Sequence, residues 1–292
     1  MTGWDNIGTP VRENEPLAMH TWFGLGGNAE FYAQPETQEE LIELIKCCDE
    51  KEIPVRLLGS GANILVRDEG VPGMVVHLGQ QAFRAVTVDG TTVTAGGGAP
   101  LSRLITTSVY SGLAGLEMLV GIPGTVGGAL HGNTGAHGGS IGQWVASVTV
   151  LDAHGEIHKR TGDELQFSYR QSSLNDLVIL EATFELRKAD PKKLGETMQK
   201  NWIVRKSLQP LGHQSAERIF KDPRGQSASQ LIENVGLGGA KIGGAVVSQQ
   251  HPGFFIAEPD ATSEDVLRLI ELVQNQVRDR LEIELELEIE VW

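Results

Sequence analysis

Seven of the eighteen residues from Ile122 to Gly139, IPGTVGGALHGNTGAHGG, are glycine. No long helix or central strand carries that density well, because each glycine costs roughly 0.5–1 kcal/mol against alanine in regular structure. Such a run suits a backbone that must turn with positive φ, or one against which another molecule lies. Pro123-Gly124 marks a turn. Gly127-Gly128 permits close backbone approach, and Thr125 adds a hydroxyl. Gly121 and Ile122 lead into the stretch, while Asn133, Gly135 and Ala136 extend the same bare surface.

A second place of this kind is GSGAN, which comprises Gly59, Ser60, Gly61, Ala62 and Asn63. It lies between two predicted strands, PVRLL and ILV. A tight Gly-Ser-Gly turn gathers successive N–H groups into a concavity suited to a pyrophosphate, and it serves equally as a plain turn. It lacks the lysine of a phosphate loop, and no helix follows it as in a dinucleotide fingerprint. Two glycine-rich loops in one chain suggest a shared, long, phosphate-bearing ligand.

The 292 residues leave room for two domains. With 24 Lys and Arg against 38 Asp and Glu the net charge is −14. That argues against binding to nucleic acid or anionic membranes, but leaves room for an anionic small ligand held by backbone N–H groups. No apolar run approaches the ~20 residues of a membrane span, and the N-terminus has no signal-peptide core. Residues 1–19 read as a loose, partly disordered leader. The two cysteines, Cys47 and Cys48, are neighbours on a predicted helix and point apart. They read as two buried thiols of a cytoplasmic protein rather than a disulfide. No Cys/His cluster has zinc-ligand spacing.

Periodicity predicts a helix over 37–52, with Thr37 and Glu40 as a capping box and Leu41, Leu44, Ile45 and Cys48 as its apolar stripe. Asp89-Gly90 and His154-Gly155 mark hairpins. Pro100 to Ser111 reads as a helix stopped by Gly112, LVILEATFELR as a long strand, Pro191 to Arg205 as a helix, and SASQLIENVG as a short helix closed by Gly236. Thr262 or Ser263 caps an amphipathic helix carrying Val266, Leu269, Ile270, Val273 and Val277. The mixture predicts an α+β, two-lobed fold with a boundary near Ala189.

Three further clusters bear on chemistry. Tyr169-Arg170 in FSYRQSS precedes the long strand. Arg170 is either a surface ion-pair partner or a cation that stabilises developing carboxylate or enolate charge. SAERIFKDP reads as an edge strand with Arg218 and Lys221 in solvent. In the terminal EIELELEIEVW, a period of two puts Glu282, Glu284, Glu286, Glu288 and Glu290 on one face. Most of these face water; one or two can point into a cleft, and the period does not say which.

Taken together, TWFGLGGNAEFY, LGSGANILVRDEGVPG, SGLAGLEMLVGIPGTVGGALHGNTGAHGGSIG, FSYRQSS, the R-x-x-x-Q-P of Arg205–Pro210, IFKDP, GLGGAKIGGAVVS and LELEIEV resemble the UDP-N-acetylenolpyruvoylglucosamine reductases. These are flavoenzymes that make a peptidoglycan precursor. The matching pieces run in the family's order from about His20 to the end. The resemblance implies a vanillyl-alcohol-oxidase (PCMH) type FAD-binding domain over 20–188 and a C-terminal α/β substrate-binding domain over 189–292. It implies FAD as cofactor, NADPH as transient reductant, a nucleotide-sugar substrate and a monomeric, cytoplasmic protein. Gly59–Asn63 and Gly121–Gly128 then lie along the flavin, with Asn133, Gly135 and Ala136 bordering the ring. Arg170 is the catalytic cation and Glu288 the carboxyl group, while Tyr169, Gln209 and Lys221 contact substrate.

The chain also departs from the family's pattern. The position of the proton-donating serine is Arg218, preceded by Glu217, a candidate partner for it. A guanidinium does not deprotonate below about pH 12 and is a poor donor. The asparagine after Lys221 is Asp222, which repels an anionic substrate unless paired. Other departures are Ala62 for serine and His137 for tyrosine, and HANF has become His251-Pro-Gly-Phe254. The resemblance therefore implies a reductase with slowed or altered protonation, to which Ser215, Ser229 or His137 could lend a proton. The alternatives are a member that binds FAD or a nucleotide-sugar without turnover, or a flavoenzyme for another substrate.

Overall fold

The computed structural model describes Trp4, residues 7–136, residues 138–207, Gln209, residues 216–223 and residues 225–292. The chain divides into two compact units. Unit 1 gathers Met1–Asn14, Glu30–Gly59 and Pro72–Val204; unit 2 gathers Glu15–Ala29, Ser60–Val71 and Arg205–Trp292. Helices and strands alternate in both, the α+β content that the pattern predicts.

In unit 1, helix α1 (Gln38–Glu50) starts where Thr37 Oγ1 accepts from the Glu40 N–H. The Glu40 carboxylate reaches one residue further back than a capping box requires and accepts from the Glu36 N–H at 2.7 Å. The stripe of Leu41, Leu44, Ile45 and Cys48 packs with Met74, Val76, Leu151 and Leu180. Burial pushes the Cys48 thiol up to about 12, so it stays protonated; Cys47 is only half-buried, contrary to the reading of two buried thiols.

A four-stranded sheet runs in the order Val11–Pro16, Asn28–Ala33, Val71–His77, Val55–Leu58. Its last pair is parallel. Val11–Pro16 corrects the expectation of a loose leader: the stretch is an edge strand followed by a fully buried Leu17. An edge strand needs few apolar residues to pair, so VRENEP gave no alternating signal.

A five-stranded antiparallel sheet follows, in the order Ile157–Thr161, Val145–Leu151, Val178–Glu185, Thr92–Gly96, Val86–Asp89. Both expected hairpins lie in it. The first turns at Gly90-Thr91, with Gly90 at φ +62°. The second turns through residues 152–156, where Asp152 Oδ1 accepts from the His154 and Glu156 N–H groups. Ala182 and Phe184 of the central strand pack against Leu104 and Ile105 of helix α2 (Leu101–Tyr110) and Val126 and Leu130 of helix α3 (Val126–His131). Burying each Phe, Leu, Ile or Val side chain of this set contributes about 1.5–3 kcal/mol. Helix α4 (Pro191–Ser207) ends this part of the chain, with Leu194 buried.

Unit 2 holds a four-stranded antiparallel sheet in the order Ala216–Arg218, Phe254–Ala257, Ala245–Val247, Lys241–Ile242. Helix α5 (Ala228–Asn234) closes at Gly236, and helix α6 (Ser263–Leu281) begins at a complete Thr262–Asp265 capping box. Val266, Leu269, Ile270, Val273 and Val277 of α6 share one core with Ile219, Phe220 and Phe255.

The C-terminal segment forms less strand than its alternation predicts. Only Glu290–Val291 pairs, parallel to Ile64–Leu65, and Leu287 bridges to Phe220. The alternation still sorts the side chains. Leu285 and Ile289 are buried, while Glu282, Glu284, Glu286 and Glu290 face solvent.

Candidate active site

Each unit carries part of the residue set singled out above. In unit 1 the glycine-rich run first turns and then forms α3. The N–H groups that open α3 are spent within the unit: Val126 donates to Ala99 O at 2.9 Å, Gly127 to Gly97 O at 2.8 Å, and Gly128 to Thr125 Oγ1 at 3.3 Å. Thr125 is thus a helix cap, and these three donors do not point at a ligand. The bare part lies just before. Gly124 has φ +130°, where side chains are strained, and an added Cβ there would meet nothing within 4 Å. Its carbonyl is fastened by the Leu101 N–H at 3.0 Å. The loop is therefore fixed from behind and open in front. The main chain at Gly59 comes against Thr125, since a Cβ added there would stand 2.9 Å from Oγ1. Gly135-Ala136 pairs with Gly139-Ser140 in a two-stranded ribbon. His137 lies outside the described residues.

Tyr169 and Arg170 are the two turn residues of a short hairpin, Phe167-Ser168 paired with Gln171-Ser172. Arg170 has φ +55°, a conformation that costs a non-glycine residue about 1–3 kcal/mol. Its guanidinium stands 5.9 Å from the centre of the exposed Tyr169 ring. Two bonds brace the hairpin against the end of α3. Asn133 Nδ2 donates to Ser168 O at 2.6 Å, and Ser172 Oγ donates to His131 O at 2.8 Å. Asn133 is buried, itself at φ +41°, and its Oδ1 accepts from the Gly142 N–H at 3.2 Å. The resemblance implies that Asn133 borders the flavin ring; in the structure its side-chain amide bonds the protein's own main chain.

In unit 2, Arg218 is not in solvent as the edge-strand reading expects. The strand is at an edge, but the side chain folds back between two carboxylates. Arg218 Nη2 lies 2.6 Å from Asp222 Oδ2, and its Nε 3.3 Å from Glu288 Oε2. The correction has a simple cause: the guanidinium lies within ion-pair range of two acids, while its Nε donates to Phe220 O at 3.4 Å. Asp222 Oδ1 also accepts from the Ala228 N–H at 2.9 Å, at the start of α5. The other half of the edge-strand reading fails likewise, because Lys221 is largely covered and pairs with Glu286 at 3.3 Å. The side chain of Glu217 lies outside the described residues, as does Ser215.

Glu288 is the exception among the five alternating glutamates. Its side chain is 14% exposed, whereas that of Glu286 is 76% exposed. Its N–H donates to Ile219 O at 2.7 Å, which ties it to the strand carrying Arg218. Asn63 Nδ2 donates to Glu288 O at 3.0 Å, and Asn63 O accepts from the Glu290 N–H at 2.9 Å. The Asn63 end of the second glycine loop thus holds the segment that bears Glu288. Gly61 turns with φ +66° where a Cβ would come 2.0 Å from His20 O, so close packing alone requires that glycine. The Gln209 amide oxygen, oriented to satisfy both groups, accepts from Arg205 Nη2 at 2.7 Å and Nε at 3.0 Å. Ser229 Oγ accepts from the Gly253 N–H at 3.2 Å.

Sequence reasoning missed Ser168, Ser172 and His131 as anchors of the arginine turn. The density of Ser, Asn and Gln around Tyr169-Arg170 was the available signal. Among the described residues no cluster of His, Cys, Asp and Glu could hold a metal, and no helix is long and apolar enough to cross a membrane.

Residues 29–161 match a family model described as an FAD binding domain. Residues 209–292 match the UDP-N-acetylenolpyruvoylglucosamine reductase C-terminal domain. A UDP-N-acetylenolpyruvoylglucosamine reductase of Rhodopirellula baltica is 39% identical over 282 residues, 97% of this chain and 92% of its own. That of Heliobacterium modesticaldum is 41% identical over 282 residues, 96% of this chain and 90% of its own. The crystal structure of the corresponding enzyme from Thermus caldophilus superposes with a TM-score of 0.83 at 34% identity, covering 97% of this chain and 98% of that one.

Proposed function

Because the chain belongs to the UDP-N-acetylenolpyruvoylglucosamine reductase family, we propose that it reduces the enolpyruvyl ether of a UDP-N-acetylglucosamine derivative to the lactyl ether, with FAD as cofactor and NADPH as reductant. The observation that carries this reading is the pairing of a bare, fastened loop with a strained, braced arginine in one unit. The residues of unit 1 fit FAD: Gly124 leaves main chain bare toward open space, where a Cβ would meet no protein atom within 4 Å. Gly59, Gly121–Gly124, Gly135 and Ala136 would hold the cofactor by close main-chain contact, and Ser60 and Ala62 are assigned to it through the motif they share with Gly59. When bound, FAD supplies hydride transfer to the substrate's double bond.

The chain's own residues are assigned the rest. Arg170 stabilises negative charge that develops on the substrate's carboxylate as the double bond is reduced. A cation already fixed in place needs no reorganisation at that moment, and removing such a group typically costs 10²–10³ in rate. Tyr169, Gln209 and Lys221 contact substrate. Glu288 is the carboxyl group of the site. Arg218, held by Asp222, keeps a positive charge beside Glu288 and does not itself supply a proton.

Anaerobic turnover tests the proposal. The yellow, flavin-loaded protein should convert the enolpyruvyl nucleotide-sugar to its lactyl product with NADPH. Absence of product sinks the reductase reading. One observation favours a second reading, a family member that binds FAD or the nucleotide-sugar without turnover: Glu288 is already engaged by Arg218. Under it, the flavin spectrum shifts on adding the nucleotide-sugar, yet no lactyl product forms.

A further inference from the structure

We propose that Asn133 is a positioning residue for Arg170, acting as the clamp that holds the Tyr169-Arg170 turn in its left-handed conformation. The inference rests on the proposed role of Arg170, but its geometry lies wholly within unit 1. A two-residue turn whose second member is a non-glycine residue at φ +55° is not a conformation the local sequence chooses by itself. Something outside the turn must over-determine it. The carbonyl that enters the turn, Ser168 O, receives the Asn133 amide at 2.6 Å, the shorter of the two bonds that brace the hairpin.

Asn133 is well suited to that task. It is buried, which confines its side chain, while the acceptor residue Ser168 is exposed. Its other amide atom accepts the Gly142 N–H, which fixes the side chain's orientation. Its own backbone, at φ +41°, is in the region that asparagine tolerates better than most residues. It also sits two residues past the end of α3, so the clamp links the arginine turn to the helix that the glycine-rich run builds. The Ser172–His131 bond closes the same bracket from the other strand of the hairpin.

Two variants test this. Asn133→Gly removes the amide while permitting the left-handed backbone. Asn133→Asp keeps the acceptor for Gly142 but sets a carboxylate against the Ser168 carbonyl. Amide hydrogen exchange over residues 166–173 is read first, because it needs no turnover. Both variants should raise exchange there at least tenfold, with Val178–Glu185 unchanged. Unchanged exchange at 166–173 in both would overturn the clamp.

Half-reaction kinetics are read second. Reoxidation by the enolpyruvyl nucleotide-sugar should slow at least tenfold, and by more than flavin reduction by NADPH does. Adding Asn133→Gly to Arg170→Lys should then slow reoxidation little further, since both changes act through one group. Full additivity, or equal slowing of both half-reactions, would overturn the positioning role. A parent protein without turnover would instead defeat the reductase reading, and the exchange result would still decide the clamp.

Discussion

Arg170 and Arg218 are two cations to which the proposed chemistry assigns a part, one in each unit, and the protein holds them by different physics. Arg170 stands on a strained turn braced by uncharged bonds from Asn133 and Ser172. Arg218 lies at the end of an edge strand, gripped by the charges of Asp222 and Glu288. A neutral brace does not change with salt and changes with pH only if the fold does. An ionic grip weakens as ions screen it or acid neutralises it. The first arginine is fixed by shape, whereas the second is a cation shared by two carboxylates, so that removing it leaves two like charges together.

The largest effect should come from breaking the shape-held cation. Arg170→Gly removes the charge and relieves the φ strain together. Turnover should fall by about 10²–10³, while stability to thermal unfolding stays level or rises by about 1 kcal/mol. A clear loss of stability in this variant would mean that the turn is not strained and the comparison is wrong.

Next is Arg218→Ser, which exchanges the guanidinium for a hydroxyl that can give a proton. If the proposed reductase chemistry is limited by protonation, product formation should rise by about 10-fold or more. Asp222 and Glu288 lose their shared cation, so stability should drop by about 1–3 kcal/mol. Adding Asp222→Asn should recover part of that loss, because one excess charge goes. A single variant as stable as the parent would show that the grip contributes nothing.

A smaller change is expected for Asp222→Asn alone, about 0.5–1.5 kcal/mol, since its amide oxygen can still accept from the Ala228 N–H. Denaturant titrations at low and high salt should show the parent losing more stability with salt than the variant does. Parallel curves would argue that Arg218 is held by packing instead.

The smallest effect concerns another carboxylate of unit 2. Hydrogen bonds from the Gly244 and Thr262 N–H groups hold the Asp265 carboxyl below its usual range. A depressed folded pKa contributes stability above the unfolded value of about 3.9, and that contribution is lost as pH falls through the folded value. Melting temperature followed from pH 5 to 2 should therefore fall less steeply for Asp265→Asn than for the parent. Identical acid limbs would remove Asp265 from the account.

Much of this molecule was determined by the sequence alone. A cap at Thr262 or Ser263, the apolar stripe of α6, the hairpins at Gly90 and Gly155 and the glycine-rich run are patterns within a few residues, so local spacing suffices to read them. The order of the motifs was enough to name the family and, with it, the α+β fold. The tertiary structure alone decided which of five alternating glutamates turns inward, because Glu288 is selected by its bonds to Ile219 and Asn63. It also decided that Arg218 reaches Glu288, and that Asn133 braces the turn of Arg170. Each of these depends on contacts between segments far apart in the chain. Composition and period describe one segment at a time, and charge balance or clamping exists only once two segments meet.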